Sequence, residues 1–83
     1  MKLRNELDFV KEKFAEHTEM IKNHVSYLKR HGEYSDLDTR LAWDCLRAFV
    51  GTRTICKWYD KYDCNDNHIT TLGKRALKEL EII

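Results

Sequence analysis

Leu3-Arg-Asn-Glu-Leu7-Asp-Phe-Val10-Lys-Glu-Lys-Phe14-Ala-Glu-His17-Thr-Glu-Met-Ile21-Lys-Asn-His24-Val-Ser-Tyr-Leu28-Lys-Arg-His31 is the stretch that decides the fold. Within it Leu3, Leu7, Val10, Phe14, His17, Ile21, His24, Leu28 and His31 recur at alternating intervals of four and three residues. That period gathers side chains onto one face of an α-helix. Leu7, Phe14, Ile21 and Leu28 fill one position of the seam, while Leu3 and Val10 give way at the other to His17, His24 and His31. The seam predicts one continuous helix from Leu3 to His31, roughly 42 Å long at 1.5 Å per residue, with one face packed on another helix. Gly32 follows as a residue that tolerates the left-handed conformation of helix ends. Lys29, Arg30 and His31 crowd the last turn, where the helix dipole favours cations.

Ser35 followed by Asp38 resembles a capping box, and Asp36 adds charge to the first turn of a second helix. Leu37, Leu41, Cys45, Ala48, Thr52, Ile55, Tyr59 and Tyr62 keep one face of it, and Trp43, Leu46, Phe49 and Trp58 widen that face or form another. The register predicts a single helix from Asp36 to about Tyr62, bent at Gly51; a break at Gly51 is the alternative, since an interior glycine costs about 1 kcal/mol relative to alanine. Cys64-Asn65-Asp66-Asn67 is a turn by composition. A third helix follows, from Ile69 or Thr71 to Glu81, capped by Asn67 or Thr70 and turning Ile69, Leu72, Ala76, Leu77, Leu80 and Ile83 inward. The short Gly32–Ser35 connection makes the first two helices antiparallel neighbours. The expected fold is therefore all-α: one domain over residues 1–83, a long antiparallel helical hairpin plus a short third helix, completed by self-association.

Composition narrows the function classes. A chain of 83 residues has room for one domain, and one this short buries only about 60–65% of the surface its unfolded form exposes. Proline is absent, as suits uninterrupted helices. The net charge is +1 with both signs dispersed, which weighs against a dedicated nucleic-acid binder, whose affinity rests on phosphate neutralisation. No stretch is apolar enough to span a bilayer, and the charged Met1–Glu6 segment lacks the apolar core of a signal peptide. Three cysteines in such a context read as free thiols rather than a disulfide framework. These features predict a cytoplasmic protein that is not inserted in a membrane.

Several residue sets carry candidate chemistry. His17, His24 and His31 form a stripe able to sense pH, or to bind metal across a dimer; the simpler account places them at the rim of the core, since a straight helix drifts about 20° per heptad. Asp63-x-Asn65-x-Asn67 matches the start of a calcium loop, but His68 replaces its glycine and Lys74 its bidentate acid. Cys45, Cys56, Cys64 and His68 lack the close ligand pairs of structural zinc sites. Cys64 and His68 lack the third group and oxyanion loop of nucleophilic catalysis, and the three glycines form no phosphate loop. Neither an enzyme nor a cofactor or metal protein is expected. Lys74, Arg75 and Lys78, behind Thr70 and Thr71, make the third helix a candidate nucleic-acid reader. Trp43, Trp58, Tyr59 and Tyr62 give the second helix more aromatic surface than a thin core needs, and such side chains anchor protein interfaces.

A short, proline-free, helical chain without catalytic motifs resembles the small accessory proteins of large tailed phages. The stretches Thr39-Arg-Leu-Ala-Trp-Asp-Cys-Leu-Arg47 and Asn67-His-Ile-Thr-Thr71 are similar to those of the cytoplasmic antiholins of T-even-type phages, which inhibit lysis. The resemblance implies a non-enzymatic protein in the host cytoplasm that binds the cytoplasmic part of a holin. It transfers no functional residue. The residues themselves point to a regulatory module that binds another protein of unspecified identity and self-associates, with Trp43, Trp58, Tyr59, Tyr62, His17, His24 and His31 as partner-binding candidates. The alternative is a nucleic-acid-binding regulator working through the third helix.

Overall fold

The computed structural model describes residues 4–32, 36–63 and 65–83, and every regular element among them is helical. In chain order these are α1 (Arg4–Ala15), α2 (Thr18–Arg30), α3 (Leu37–Cys45), a π-helical turn (Leu46–Val50), α4 (Thr52–Tyr62) and α5 (Asp66–Glu79). α5 lies against both α1 and α3, α2 lies against α3, and the π turn touches α1 and α4. The core draws on all of them. Val10, Phe14, Leu46, Ile69, Ala76 and Leu77 are wholly excluded from solvent, and no polar or charged side chain among the described residues is buried. The expected roles of Leu3, Ser35, the Gly32–Ser35 connection and Cys64 fall outside the described residues.

The seam is buried, but the rod is broken. Leu7, Val10, Phe14, Ile21 and Leu28 all enter the core. The single helix expected over residues 3–31 is instead two, parted at Glu16 and His17. The His17 amide donates to the Phe14 carbonyl (3.0 Å), a tightened i→i−3 bond, and the Thr18 hydroxyl donates to the Ala15 carbonyl (3.0 Å). This hydroxyl takes a backbone acceptor at the last turn of α1. The chain bends there without proline or glycine, so α1 covers α5 while α2 covers α3. α2 ends with His31 as its C-cap rather than on a left-handed Gly32.

The second expected helix is also divided, in favour of the break at Gly51. The Gly51 amide reaches back five residues to the Leu46 carbonyl (2.9 Å), which closes the π turn. Gly51 then takes φ +101°, a conformation only glycine adopts without strain. The wide turn rotates the register, so Ala48 and Thr52, expected on the buried face, are exposed, and Leu46 takes the buried place. α4 ends on Asp63 in the left-handed conformation, and α5 begins at Asp66, earlier than the Ile69 or Thr71 expected. Its cap is Asn65, not Asn67 or Thr70: the Asn65 side chain accepts from the His68 amide (3.2 Å), and His68 Nδ1 accepts from the Asn65 amide (3.4 Å). Ile83, expected inside, is exposed at the far end.

Asp36 is the cap of α3, accepting from the Thr39 amide (3.2 Å) and hydroxyl (2.6 Å) and pairing with Lys74 of α5 (3.3 Å). The two Thr39 bonds, with Lys74 behind them, hold its carboxyl down at about 2 against an ordinary 3.8. A depressed carboxylate stabilises the fold above its unfolded value and ceases to do so as pH falls through the folded one. Thermal melts should therefore show a loss of stability between about pH 4 and pH 2 that is smaller in Asp36→Ala than in the parent. Parallel pH profiles for the two proteins would exclude this role for the cap.

Candidate functional site

Where α2 crosses α3 and the π turn, the chain leaves a cleft of about 260 Å³ lined by Met20, Ile21, His24, Asp44, Cys45, Ala48 and Phe49. Ile21 and Cys45 belong to the core and form the floor. Met20, 60% exposed, stands at the mouth. His17 occupies the N-cap position of α2, its side chain making no capping hydrogen bond, and stacks on Phe49 with ring centres 4.3 Å apart and planes 13° apart. One α-helical step of seven residues further, His24 Nε2 lies 2.7 Å from Asp44 Oδ2, and Arg40 Nε, one turn before Asp44, lies 3.2 Å from the same oxygen. The cleft is apolar inside with a charged, hydrogen-bonding rim. Its floor thiol stays protonated, because burial, aided by the Asp44 charge, pushes Cys45 up to about 12.

The histidine stripe is thus divided between two environments. His17 and His24 border the cleft, whereas His31 is exposed beyond it and rests against Tyr27 (4.2 Å between ring centres). No group of three or more His, Cys, Asp or Glu side chains among the described residues is placed to hold a metal ion. Cys45 lies in the core and Cys56 on the surface. In the stretch that resembles a calcium loop, Asn65 is taken up by the cap of α5, and Asp66 accepts from the Tyr59 hydroxyl (2.6 Å).

The aromatic candidates divide as well. Trp43 and Tyr59 line a groove of about 300 Å³ with Arg47, Thr52, Ile55, Cys56 and Asp66, and the Arg47 guanidinium lies 5.6 Å from the Trp43 ring centre. Trp58 turns the other way, 7% exposed, and meets Phe9 of α1 edge to face at 6.1 Å. The Tyr62 hydroxyl donates to Glu6 on the same helix. These four side chains do not share one surface.

Two of the three basic candidates on α5 are engaged within the molecule. Lys74 pairs with Asp36 and Arg75 with Glu79 (3.1 Å), and Glu79 also takes Lys11 of α1 (3.2 Å). Lys11 and then Arg75 pull the Glu79 carboxyl below its ordinary value. Of the three basic residues proposed to read phosphates, Lys78 alone has no ion pair with a described residue.

Sequence reasoning did not single out Asp44, Phe49 or Met20 as site residues. Met20 flanks the seam and Phe49 lies beside the expected face of the second helix, yet nothing local in the sequence joins them. The signal is the opposed pairing of residues 17 with 49 and 24 with 44, which exists only once α2 and α3 are laid together. Compared with protein-family profiles, with characterised protein sequences and with solved structures, the chain finds no match.

Proposed function

We propose that this chain is a small non-enzymatic regulatory protein that acts by binding another protein, and that the α2–α3 cleft receives a side chain of the partner. The carrying observation is the open apolar cleft with Met20 at its mouth and the His24–Asp44 pair on its rim. A concave apolar site with few polar groups suits an apolar anchor flanked by a hydrogen-bonding residue, and methionine adapts to the shape it meets. The opposed order of the contacts His17–Phe49 and His24–Asp44 supports reading α2 and α3 as the antiparallel hairpin that carries this site. The ion pairs of Lys74 and Arg75 weigh against a phosphate-reading α5, because both partners would have to be given up on binding.

The similarity of Thr39–Arg47 and Asn67–Thr71 to the phage antiholins supports a partner of one kind: the cytoplasmic segment of a holin, met in the host cytoplasm. No helix among the described residues is long and apolar enough to cross a membrane, so this proposal needs a soluble segment of the holin as the contact. Expressed beside a T-even holin, the chain should delay the onset of lysis. Met20→Glu, which alters an exposed residue and leaves the core intact, should abolish the delay and weaken binding to the holin segment by about tenfold or more, as for a central anchor. An undelayed lysis, or a delay that survives Met20→Glu, would refute the assignment of function or of site respectively. Tight DNA or RNA binding at low salt, lost on charge reversal at Lys74 and Arg75, would move the function to α5.

A further inference from the structure

α1 and α4 meet along a seam marked by the Phe9–Trp58 contact and the Tyr62–Glu6 hydrogen bond. These two pairs advance in opposite chain directions, so the helices are antiparallel there. On the solvent side of α1, Asp8 and Glu12 lie one turn apart and Glu16 follows just past the helix end; all three are exposed. On the solvent side of α4, Arg53, Lys57 and Lys61 repeat at the same interval, and all three are exposed. Each row extends about 12 Å at 1.5 Å per residue. At 3.6 residues per turn the basic row drifts across the solvent face of α4: Lys61 falls nearest α1, Lys57 next, and Arg53 furthest round, about 20° from Asp60. Between the rows stands Phe9, 37% exposed, with Lys13 Nζ 5.5 Å from its ring centre.

None of these six charged side chains forms an ion pair with a described residue. Elsewhere the same small surface pairs its charges freely: Lys11 and Arg75 with Glu79, Lys74 with Asp36, Arg40 with Asp44. One face therefore carries an acidic row, an apolar ridge and a basic row side by side. Lys61 Nζ lies 5.0 Å from the Tyr62 ring centre, and no ion pair joins either row to a described residue. A two-fold axis lying along the seam would place α1 of one copy over α4 of another and, by symmetry, α4 over α1. Because the helices are antiparallel, Asp8, Glu12 and Glu16 then interleave in height with Lys61, Lys57 and Arg53. The two Phe9 rings meet at the axis. The face is complementary to itself.

We propose that a second copy of this chain docks here, forming a two-fold dimer in which each acidic α1 row lies on the partner's basic α4 row around a central pair of Phe9 side chains. The dimer uses none of the cleft residues of α2 and α3, so it does not rest on the holin reading. Charge pairs at the rim give orientation and salt dependence, and the aromatic centre supplies the desolvated anchor.

Sedimentation of the full chain tests this. At about 100 μM, where an association of micromolar strength is nearly complete, the parent should be a dimer in about 50 mM salt and dissociate at least tenfold more readily in about 500 mM salt. Two charge-reversed chains sharpen the test: one carries Asp8→Lys and Glu12→Lys, the other Lys57→Glu and Lys61→Glu. Each alone should be monomeric and helical by circular dichroism, since each sets like charges against like. Mixed in equal amounts they should form a heterodimer, because opposite rows again face each other on both sides of the axis. A monomeric parent at low salt overturns the proposal. So does a reversed chain that remains a dimer alone, or a pair that folds but does not associate on mixing. Should either reversed chain fail to fold, the salt series on the parent decides.

Discussion

Phe14→Ala will lower the free energy of unfolding by about 3–5 kcal/mol, the range for removing a buried aromatic ring and leaving a cavity. Phe14 is wholly excluded from solvent. It sits one residue before the end of α1, where the His17 amide closes the bend by donating to its carbonyl. Truncation therefore removes apolar burial at the point where the chain changes direction, and the neighbouring backbone, held by that bond and by the Thr18 hydroxyl, has little freedom to collapse into the void. Domains of this size have about 0.05–0.15 kcal/mol of stability per residue, so the loss consumes much or all of it. Urea unfolding followed by circular dichroism should show a much lower midpoint, or a chain largely unfolded without denaturant. A midpoint within the error of the parent would mean that Phe14 does not anchor α1, and that the packing of α1 on α5 is wrong.

The burial pattern around Phe14 was legible in the sequence because burial follows from spacing alone. Leu7, Val10, Phe14, Ile21 and Leu28 are buried whether the helix is straight or bent, since the four-and-three register survives the bend at Glu16–His17. The bend itself leaves no such trace. It rests on one tightened amide bond and one threonine hydroxyl, and threonine at a helix position is too ordinary to mark a break. Gly51 marked the place, although the register favoured a bent single helix over the break that is found. The π turn before it left no mark, because nothing in Leu46-Arg-Ala-Phe-Val50 differs in composition from an α-helix. Burying Leu46 instead of Ala48 gives the larger side chain to the core, which is the packing gain that offsets the wider turn.

The candidate site was legible as residue types and not as a constellation. His17 and His24 were singled out by their seven-residue spacing, yet their partners Phe49 and Asp44 lie 32 and 20 positions away, outside any local pattern. The aromatic residues of α4 point to both sides of that helix, so an excess of aromatic surface resolves into two small contacts rather than one patch. The charges of α5 were visible as a run. The Arg75–Glu79 pair is local, one turn apart on α5, whereas the neutralisation of Lys74 by Asp36 depends on α3 being brought beside α5 by folding.

Gly73→Val should destabilise the protein by about 1–3 kcal/mol through overpacking, although valine is the better helix former of the two by a few tenths of a kcal/mol. Gly73 is buried on the face of α5 that meets α3, opposite Ala42 and the Leu46 side chain. A Cβ there would lie 2.9 Å from Leu46 Cδ1, closer than carbon atoms pack, and 3.1 Å from Ala42 Cβ, a tight contact that requires the neighbour to give way. Leu46 is itself wholly buried, so its methyl cannot swing aside into solvent, and Ala42 has no rotamer to change. The two extra methyls of valine must push α5 away from α3, loosening Ile69, Ala76 and Leu77 along the same face. Ala42→Gly opens space opposite and should recover part of the loss, so the double variant should be more stable than the sum of the two single changes. Denaturant melts of the four proteins measure that coupling. A Gly73→Val chain as stable as its parent, or a double variant that is merely additive, would show that α5 does not approach α3 as closely as the Gly73–Ala42 contact requires.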